Sequence, residues 1–219
     1  MPDPAIGPST GEVPAKRTLA DHLRRRRRAA LVGHRGGPDD ARALAEDDDP
    51  GVRAIALGAL VRLGAITAAD LVAAAHDPDP GVRRRAAEEA ARSLPDDASV
   101  TAALLELTGD DESTVAETAA FALGERPVGD SPVVARLATM ATDHPDALCR
   151  EAAVAALGAV GDAEGLPAIL AATRDKATVR RRAVIALAPF DGPEVDAALA
   201  RAREDRDWQV RQAAEDLTA

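Results

Sequence analysis

Apolar side chains recur at i, i+3, i+4 and i+7 in one stretch of this chain after another, the mark of a helix with one buried face. Ala68, Leu71, Val72 and Ala75 make one such set, and Val100, Ala103, Leu104 and Leu107 a second. Leu166, Ile169, Leu170 and Thr173 follow, then Val195, Ala198, Leu199 and Ala202. A different kind of stretch alternates with these. It opens on an acidic turn and Val-Arg or a near match, continues with small apolar residues at helical spacing, and often closes on Leu-Gly. Its copies start at Val52-Arg53, Val82-Arg83, Val115-Ala116, Cys149-Arg150, Val179-Arg180 and Val210-Arg211, at intervals of 30 to 34 residues. In the first copy the pattern predicts burial of Val52, Ile55, Ala56, Ala59, Leu60 and Leu63; in the fourth, of Cys149, Ala152, Ala153, Ala156, Leu157 and Val160. A fixed period of this length belongs to a solenoid, in which each helix pair packs on its neighbours and the array presents an extended surface.

Local signals agree with helix–turn–helix units. Residues 1–16 hold Pro2, Pro4, Pro8 and Pro14 among small and polar residues, which predicts a disordered Pro-rich tail. A basic capping helix is expected within 17–36, with Thr18 as N-cap and an end at about Val32, before a break at Gly33 to Gly37. Six helix pairs then follow at about 38–64, 67–94, 97–124, 131–161, 163–189 and 193–217. Pro38, Pro132, Pro167 and Pro193 lie in opening turns, where a missing N–H costs nothing. The turns inside the pairs are acidic, as in Asp47-Asp48-Asp49-Pro50 and Asp77-Pro78-Asp79-Pro80. Carboxylates there cap free N–H groups, and proline stops the preceding helix. Gly64, Gly124 and Gly158 are expected to end second helices in the left-handed conformation.

Composition narrows the class. The 219 residues include Phe121, Phe190 and Trp208 as the only aromatics, so a core built on large rings is excluded and close packing of alanine-rich helices takes its place. No apolar run reaches the ~18 residues of a membrane span, so no membrane partner is expected, and the N-terminus has no apolar core of signal-peptide length. One cysteine, Cys149, stands where other copies have Val and reads as a small buried hydrophobe, which points to a cytoplasmic protein without disulfides. Residues 1–35 carry eight basic and three acidic side chains, so the rest of the chain stands at −15 within a total of −10. That separation of a basic head from an acidic body permits self-association into a homo-oligomer, and it repels nucleic acid over most of the surface.

The phrase Asp-x-x-x-x-Val-Arg-x-x-Ala-x-x-Ala-Leu-Gly, seen best at residues 175–187 and 150–158, resembles the HEAT repeat, in particular the short bacterial form of phycobilisome-lyase-type HEAT-like repeats. The resemblance covers roughly residues 38–219. It implies an all-α fold: a right-handed α-solenoid of about six HEAT-like helix pairs behind an N-terminal capping helix. Such repeats occur in scaffolds, adaptors, lyases and regulatory subunits, so the resemblance implies an interaction surface more than an activity. A family of bacterial DNA glycosylases is also built wholly of such repeats. Its chemistry calls for aromatic and acidic groups in a basic cleft, which this acidic chain without Tyr does not supply.

Several side chains are candidates for function. The repeated Arg53, Arg83, Arg150, Arg180 and Arg211 are expected to pair with acidic turns and hold successive units in register, with one rung missing at Ala116. Arg84, Arg85, Arg181 and Arg182 go beyond the repeat pattern, and guanidinium suits carboxylate or phosphate. They either line a groove that binds an acidic segment of a protein partner or are neutralised by Glu88, Glu89 or Glu194. Arg24, Arg25, Arg26, Arg27 and Arg28 either contact an anion or nucleic acid through phosphates or dock a capping helix on acidic neighbours. Trp208 either covers the last core layer or anchors a partner. His22, His34, His76 and His144 have no zinc-ligand spacing, and no phosphate loop, catalytic set, metal site or cofactor is indicated. The function expected is a non-catalytic scaffold or adaptor gripping a protein partner along the groove of the second helices. The alternatives are a nucleic-acid-associated protein led by Arg24–Arg28, then a HEAT-like-repeat DNA glycosylase.

Overall fold

A computed structural model describes residues 19–127 and 131–218. The predicted tail at 1–16 and Thr18 lie outside the described residues. The elements are α-helical throughout: α1 (Leu19–Arg35), α2 (Pro38–Ala45), α3 (Pro50–Arg62), α4 (Ala68–Ala75), α5 (Pro80–Ala90), α6 (Ala98–Leu107), α7 (Ser113–Gly124), α8 (Ser131–Asp143), α9 (Ala147–Val160), α10 (Leu166–Ala172), α11 (Ala177–Ala186), α12 (Pro193–Arg203) and α13 (Trp208–Thr218), with a short 3-10 turn at Ala163–Gly165. The second helices α3, α5, α7, α9, α11 and α13 pack each on the next in one layer, and the first helices form the other. The fold is an all-α solenoid. Helix α1 packs chiefly on α3, so it takes the place that a second helix of a preceding unit would occupy.

The core runs the length of the array and mixes alanines with a few large aliphatic side chains. Leu60, Leu71, Leu104, Leu123, Leu137, Leu157 and Ile169 are fully buried, on α3, α4 and α6 to α10 in turn. Each contributes about 1.5–3 kcal/mol relative to exposure. Cys149 is fully buried among them, and burial pushes its thiol up to about 11, which leaves it protonated and inert.

Glycine does two different jobs here. Gly64 and Gly161 adopt the left-handed conformation, with φ of 64° and 70°. Gly124 and Gly158, expected there too, instead lie within α7 and α9. A Cβ on Gly124 would stand 2.8 Å from Cα of Ala156, and one on Gly158 would stand 2.7 Å from Cα of Ala186. Their value is smallness, which lets successive second helices touch backbone to backbone. Gly33 is a similar correction: α1 continues through it to Arg35, because Gly33 is buried against Ala59 and the Arg62 side chain and does not break the helix. Pro50 and Pro80 open α3 and α5 as first-turn residues, in addition to ending what precedes them.

A ladder of guanidinium–carboxylate pairs ties unit to unit. Arg53 reaches Asp77 of the next turn through Nε (2.8 Å) and Nη2 (2.7 Å), while its Nη1 donates to the Asp47 carbonyl of its own turn (2.8 Å). Arg83 does the same with Asp110 (2.6 and 2.9 Å), Arg150 with Asp175 (2.6 and 2.8 Å), and Arg180 with Asp205 (2.8 and 2.7 Å). Each carboxylate also accepts a turn N–H, as Asp77 does from Asp79. The ladder starts in α1, where Arg25 donates to Asp47 and Asp48. The missing rung is altered on both sides: Ala116 replaces the arginine, and His144 stands where other turns have an acidic residue. His144 Nδ1 accepts the Asp146 N–H at 3.1 Å, so the turn keeps its shape without the charge.

The arginines hold the carboxyls of Asp110, Asp175 and Asp205 below the ordinary value of 3.8. A carboxyl whose pKa is lowered by folding stabilises the fold above its unfolded value and loses that contribution as pH falls through the folded one. Thermal stability should therefore be level from about pH 7 to 5 and decline steadily below about pH 4. Melting temperatures measured against pH for the chain and for Asp175→Asn check this, with a shallower acid slope expected in the variant. Equal slopes would remove the ladder as the cause.

Candidate partner-binding face

The outward face of the second-helix layer is set by helical spacing from the repeated Val-Arg phrase. Positions two, three and six residues after the Val share one side of each helix. Two places on, successive copies carry Arg84, Glu117, Glu151, Arg181 and Gln212. Six places on they carry Glu88, Phe121, Ala155, Ile185 and Asp216. The core-facing positions repeat from unit to unit, whereas these vary, so this face differs along its length.

Two hollows lie on it. The larger, of about 460 Å³, spans four helices: Arg84 comes from α5, Glu117 and Phe121 from α7, Leu148 and Glu151 from α9, and Arg182 from α11. Its apolar floor is exposed, with Phe121 at 51% and Leu148 at 56% of full accessibility. The second, of about 280 Å³, lies between α11 and α13 and is lined by Arg181, Ile185, Trp208, Asp216 and Leu217. Trp208 is 65% exposed, so it does not cover the last core layer.

Arg84 and Arg182 thus meet in one hollow and Arg181 sits with Trp208 in the other. Arg85 lines neither: it lies over Gly58 of α3, with Nη1 3.3 Å from Glu88 and Nη2 paired to Glu89. Glu194, expected as a neutralising partner, is replaced in that role by Glu151, 3.5 Å from Arg182 Nη2. Arg84 Nε stands 3.7 Å from Glu88. Both pairs are loose, and both arginine side chains stay partly exposed. A guanidinium held this way keeps donors for an incoming carboxylate at little cost. Together the groups can seat an apolar side chain between Phe121 and Leu148 and take an acidic group beside it.

Sequence reasoning missed Phe121, Leu148 and Ile185. The signal was present: Phe121 and Ile185 stand six places after Val115 and Val179, on the side that carries the extra arginines. The run from Arg24 to Arg28 is divided. Arg25 docks on Asp47 and Asp48, Arg26 Nη2 donates to Asp49 at 2.9 Å, and Arg24 Nη2 donates to Asp21 at 2.6 Å. Asp49 also meets His22 Nδ1 at 2.7 Å. Asp49 is buried, and Arg26, despite the burial, holds its carboxyl far below the usual range. Arg27 and Arg28 remain exposed.

The histidines stay apart. His76 Nδ1 meets the Val72 carbonyl at 2.8 Å and Nε2 meets Glu106 at 3.0 Å, contacts that raise its pKa. Among the described residues, no three His, Cys, Asp or Glu side chains gather as a metal site would require, and no helix is long and apolar enough to cross a membrane.

The same architecture recurs in solved structures. YibA of Escherichia coli superposes with a TM-score of 0.64 at 18% identity, over 91% of this chain and 74% of that one. A designed armadillo repeat protein in complex with the peptide (KR)4 gives 0.60 at 16% identity, over 83% and 97%. The complex of CpcE and CpcF of phycocyanin lyase from Nostoc sp. PCC7120 gives 0.59 at 22% identity, over 94% and 79%. At these identities the likeness is one of fold. No curated protein matches the sequence. The profile of HEAT repeats matches residues 68–158 and 134–218, which is well over half of the chain. With its stacked helix pairs and repeated Val-Arg phrase, the chain belongs to the HEAT-repeat family.

Proposed function

We propose that this protein is a non-catalytic scaffold or adaptor of the cytoplasm that binds a protein partner along the outward face of its second helices. One observation carries the reading: the 460 Å³ hollow of Arg84, Phe121, Leu148 and Arg182 draws side chains from four successive units. Apolar side chains exposed beside under-used guanidiniums are what an interface uses, with the rings and aliphatic groups as anchors and the charges selecting the partner. Arg181 and Trp208 extend the face to a second contact, and Arg85 borders it through Glu88. Two solved structures of like fold hold partners, a (KR)4 peptide in one and a second subunit in the other.

The nucleic-acid reading has less behind it, because Arg25 and Arg26 are engaged in docking α1. Site-specific photo-crosslinking tests the proposal. A photoreactive residue at position 121 or 208 should capture the same partner, and Arg84→Glu/Arg182→Glu should weaken capture at least about tenfold, the loss expected when charge pairs across an interface become repulsive. A probe at Glu106, exposed on the first-helix layer, should capture none. Capture from 106 equal to that from 121, or indifference to the charge reversal, would overturn this assignment.

A further inference from the structure

Helix α1 is turned opposite to what its composition leads one to expect. Its inner side is small and polar: Ala29 and Gly33 are buried on α3, and His22, Arg25 and Arg26 are held by the turn at Asp47–Asp49. Its leucines face outward, with Leu19 at 76%, Leu23 at 57% and Leu31 at 46% of full accessibility. Exposed beside them are Arg27, Arg28 and Arg35, none of which forms an ion pair with a described residue. The one carboxylate of the helix, Asp21, is taken by Arg24. The outer face of α1 is therefore apolar and positively charged, on a helix whose other face is fastened to the solenoid.

We propose that this face binds an anionic lipid surface, with α1 lying flat at the headgroup level, its leucines entering the acyl boundary and Arg27, Arg28 and Arg35 meeting lipid phosphates or carboxylates. Amphipathic helices with a basic flank bind bilayers through this combination of buried apolar area and charge. Nucleic acid would satisfy the arginines and leave three leucines in water. An apolar protein groove would satisfy the leucines and leave the arginines unpaired. A second α1 would set arginine against arginine. An anionic bilayer satisfies both groups at once. Among the described residues no helix is long and apolar enough to cross a membrane, so the mode proposed is surface-lying, and it departs from the expectation of no membrane partner.

Co-sedimentation of the full chain with lipid vesicles tests this. Vesicles of phosphatidylcholine with about 30% phosphatidylserine should bind it, pure phosphatidylcholine vesicles should bind it at least about tenfold more weakly, and added salt should release it. Arg27→Glu/Arg28→Glu and Leu19→Ser/Leu23→Ser should each weaken binding about tenfold or more. Neither pair touches the contacts that dock α1, and an unchanged helical circular dichroism spectrum would confirm that the fold survives. Absence of binding, equal binding to both vesicles, or loss with the arginine pair alone would overturn the proposal. Retention on duplex DNA or on polyglutamate with none on vesicles would also overturn it, and would reassign the face to nucleic acid or to an acidic protein.

Discussion

Replacing Arg126 by methionine should cost about 3–5 kcal/mol and lower the melting temperature by roughly 10 °C. Arg126 follows α7 and is only 4% exposed. Its Nη1 donates to the carbonyls of Ala90 (2.9 Å) and Ser93 (3.3 Å), and its Nη2 to those of Leu94 (2.9 Å) and Asp97 (3.1 Å) and to Thr101 Oγ1 (3.1 Å). One guanidinium thus satisfies a carbonyl at the end of α5 and three in the connection to α6. That connection contains Leu94 at φ 52°, a left-handed conformation that a branched side chain resists and that these hydrogen bonds hold in place. Methionine would keep the volume and orphan the carbonyls. Arg126→Lys should recover only a part, because one ammonium cannot reach both sets of acceptors. In an array stabilised by nearest-neighbour contacts the damage should be local, so the melting curve should broaden or split as the first units unfold ahead of the rest. A melting temperature within about 2 °C of the parent would show that water replaces the guanidinium.

A single methyl group at Gly124 should be destabilising by about 2 kcal/mol, while the same change at Gly58 should be neutral or stabilising. Both glycines sit inside second helices, where alanine is the better helix former by about 0.5–1 kcal/mol. At Gly124 the new Cβ would stand 2.8 Å from Cα and 2.9 Å from Cβ of Ala156, and neither can move without parting α7 from α9. At Gly58 the nearest atoms are the far end of Arg85 and a Glu89 carboxylate oxygen, which can swing aside. Overpacking therefore wins at one site and helix propensity at the other. Chemical denaturation of Gly124→Ala and Gly58→Ala measures both, and an equal effect at the two positions would contradict the close α7–α9 contact. Because α7 and α9 carry Phe121 and Leu148, Gly124→Ala should also weaken capture at position 121.

Arg126 and Gly124 both bear on how a chain with almost no aromatic residues holds an extended fold. Each helix of the pairs buries few large side chains, as α3 does with Leu57 and Leu60, and close approach at Gly124 and Gly158 is joined by polar fastening at Arg126 and along the Arg–Asp ladder. The break in the ladder at Ala116 and His144 falls where Gly124 meets Ala156, while Gly158 meets Ala186 just as closely where the Arg150–Asp175 rung is kept, so close approach and charge pairing act independently.

Periodicity alone determined the architecture. Apolar residues at helical spacing, acidic turns and a repeat of about thirty residues admit few other folds, since a one-sided helix pair must stack on its like to bury that side. The same pattern determined the ladder, because the residue after each Val is carried to the same place in every unit. Contacts between distant residues were decided only by tertiary structure. Nothing in the local sequence separates Gly124, which must be small, from Gly64, which must be left-handed, because the difference lies in Ala156 on another helix. Arg126 resembles any other arginine until the end of α5 closes around it. The divided fate of Arg24 to Arg28 and the outward leucines of α1 depend on which side of that helix meets α3. The face of Phe121, Leu148 and Arg182 was legible in part: helical spacing names the residues that share a side, and only the stacking of four units brings those of different units to one hollow.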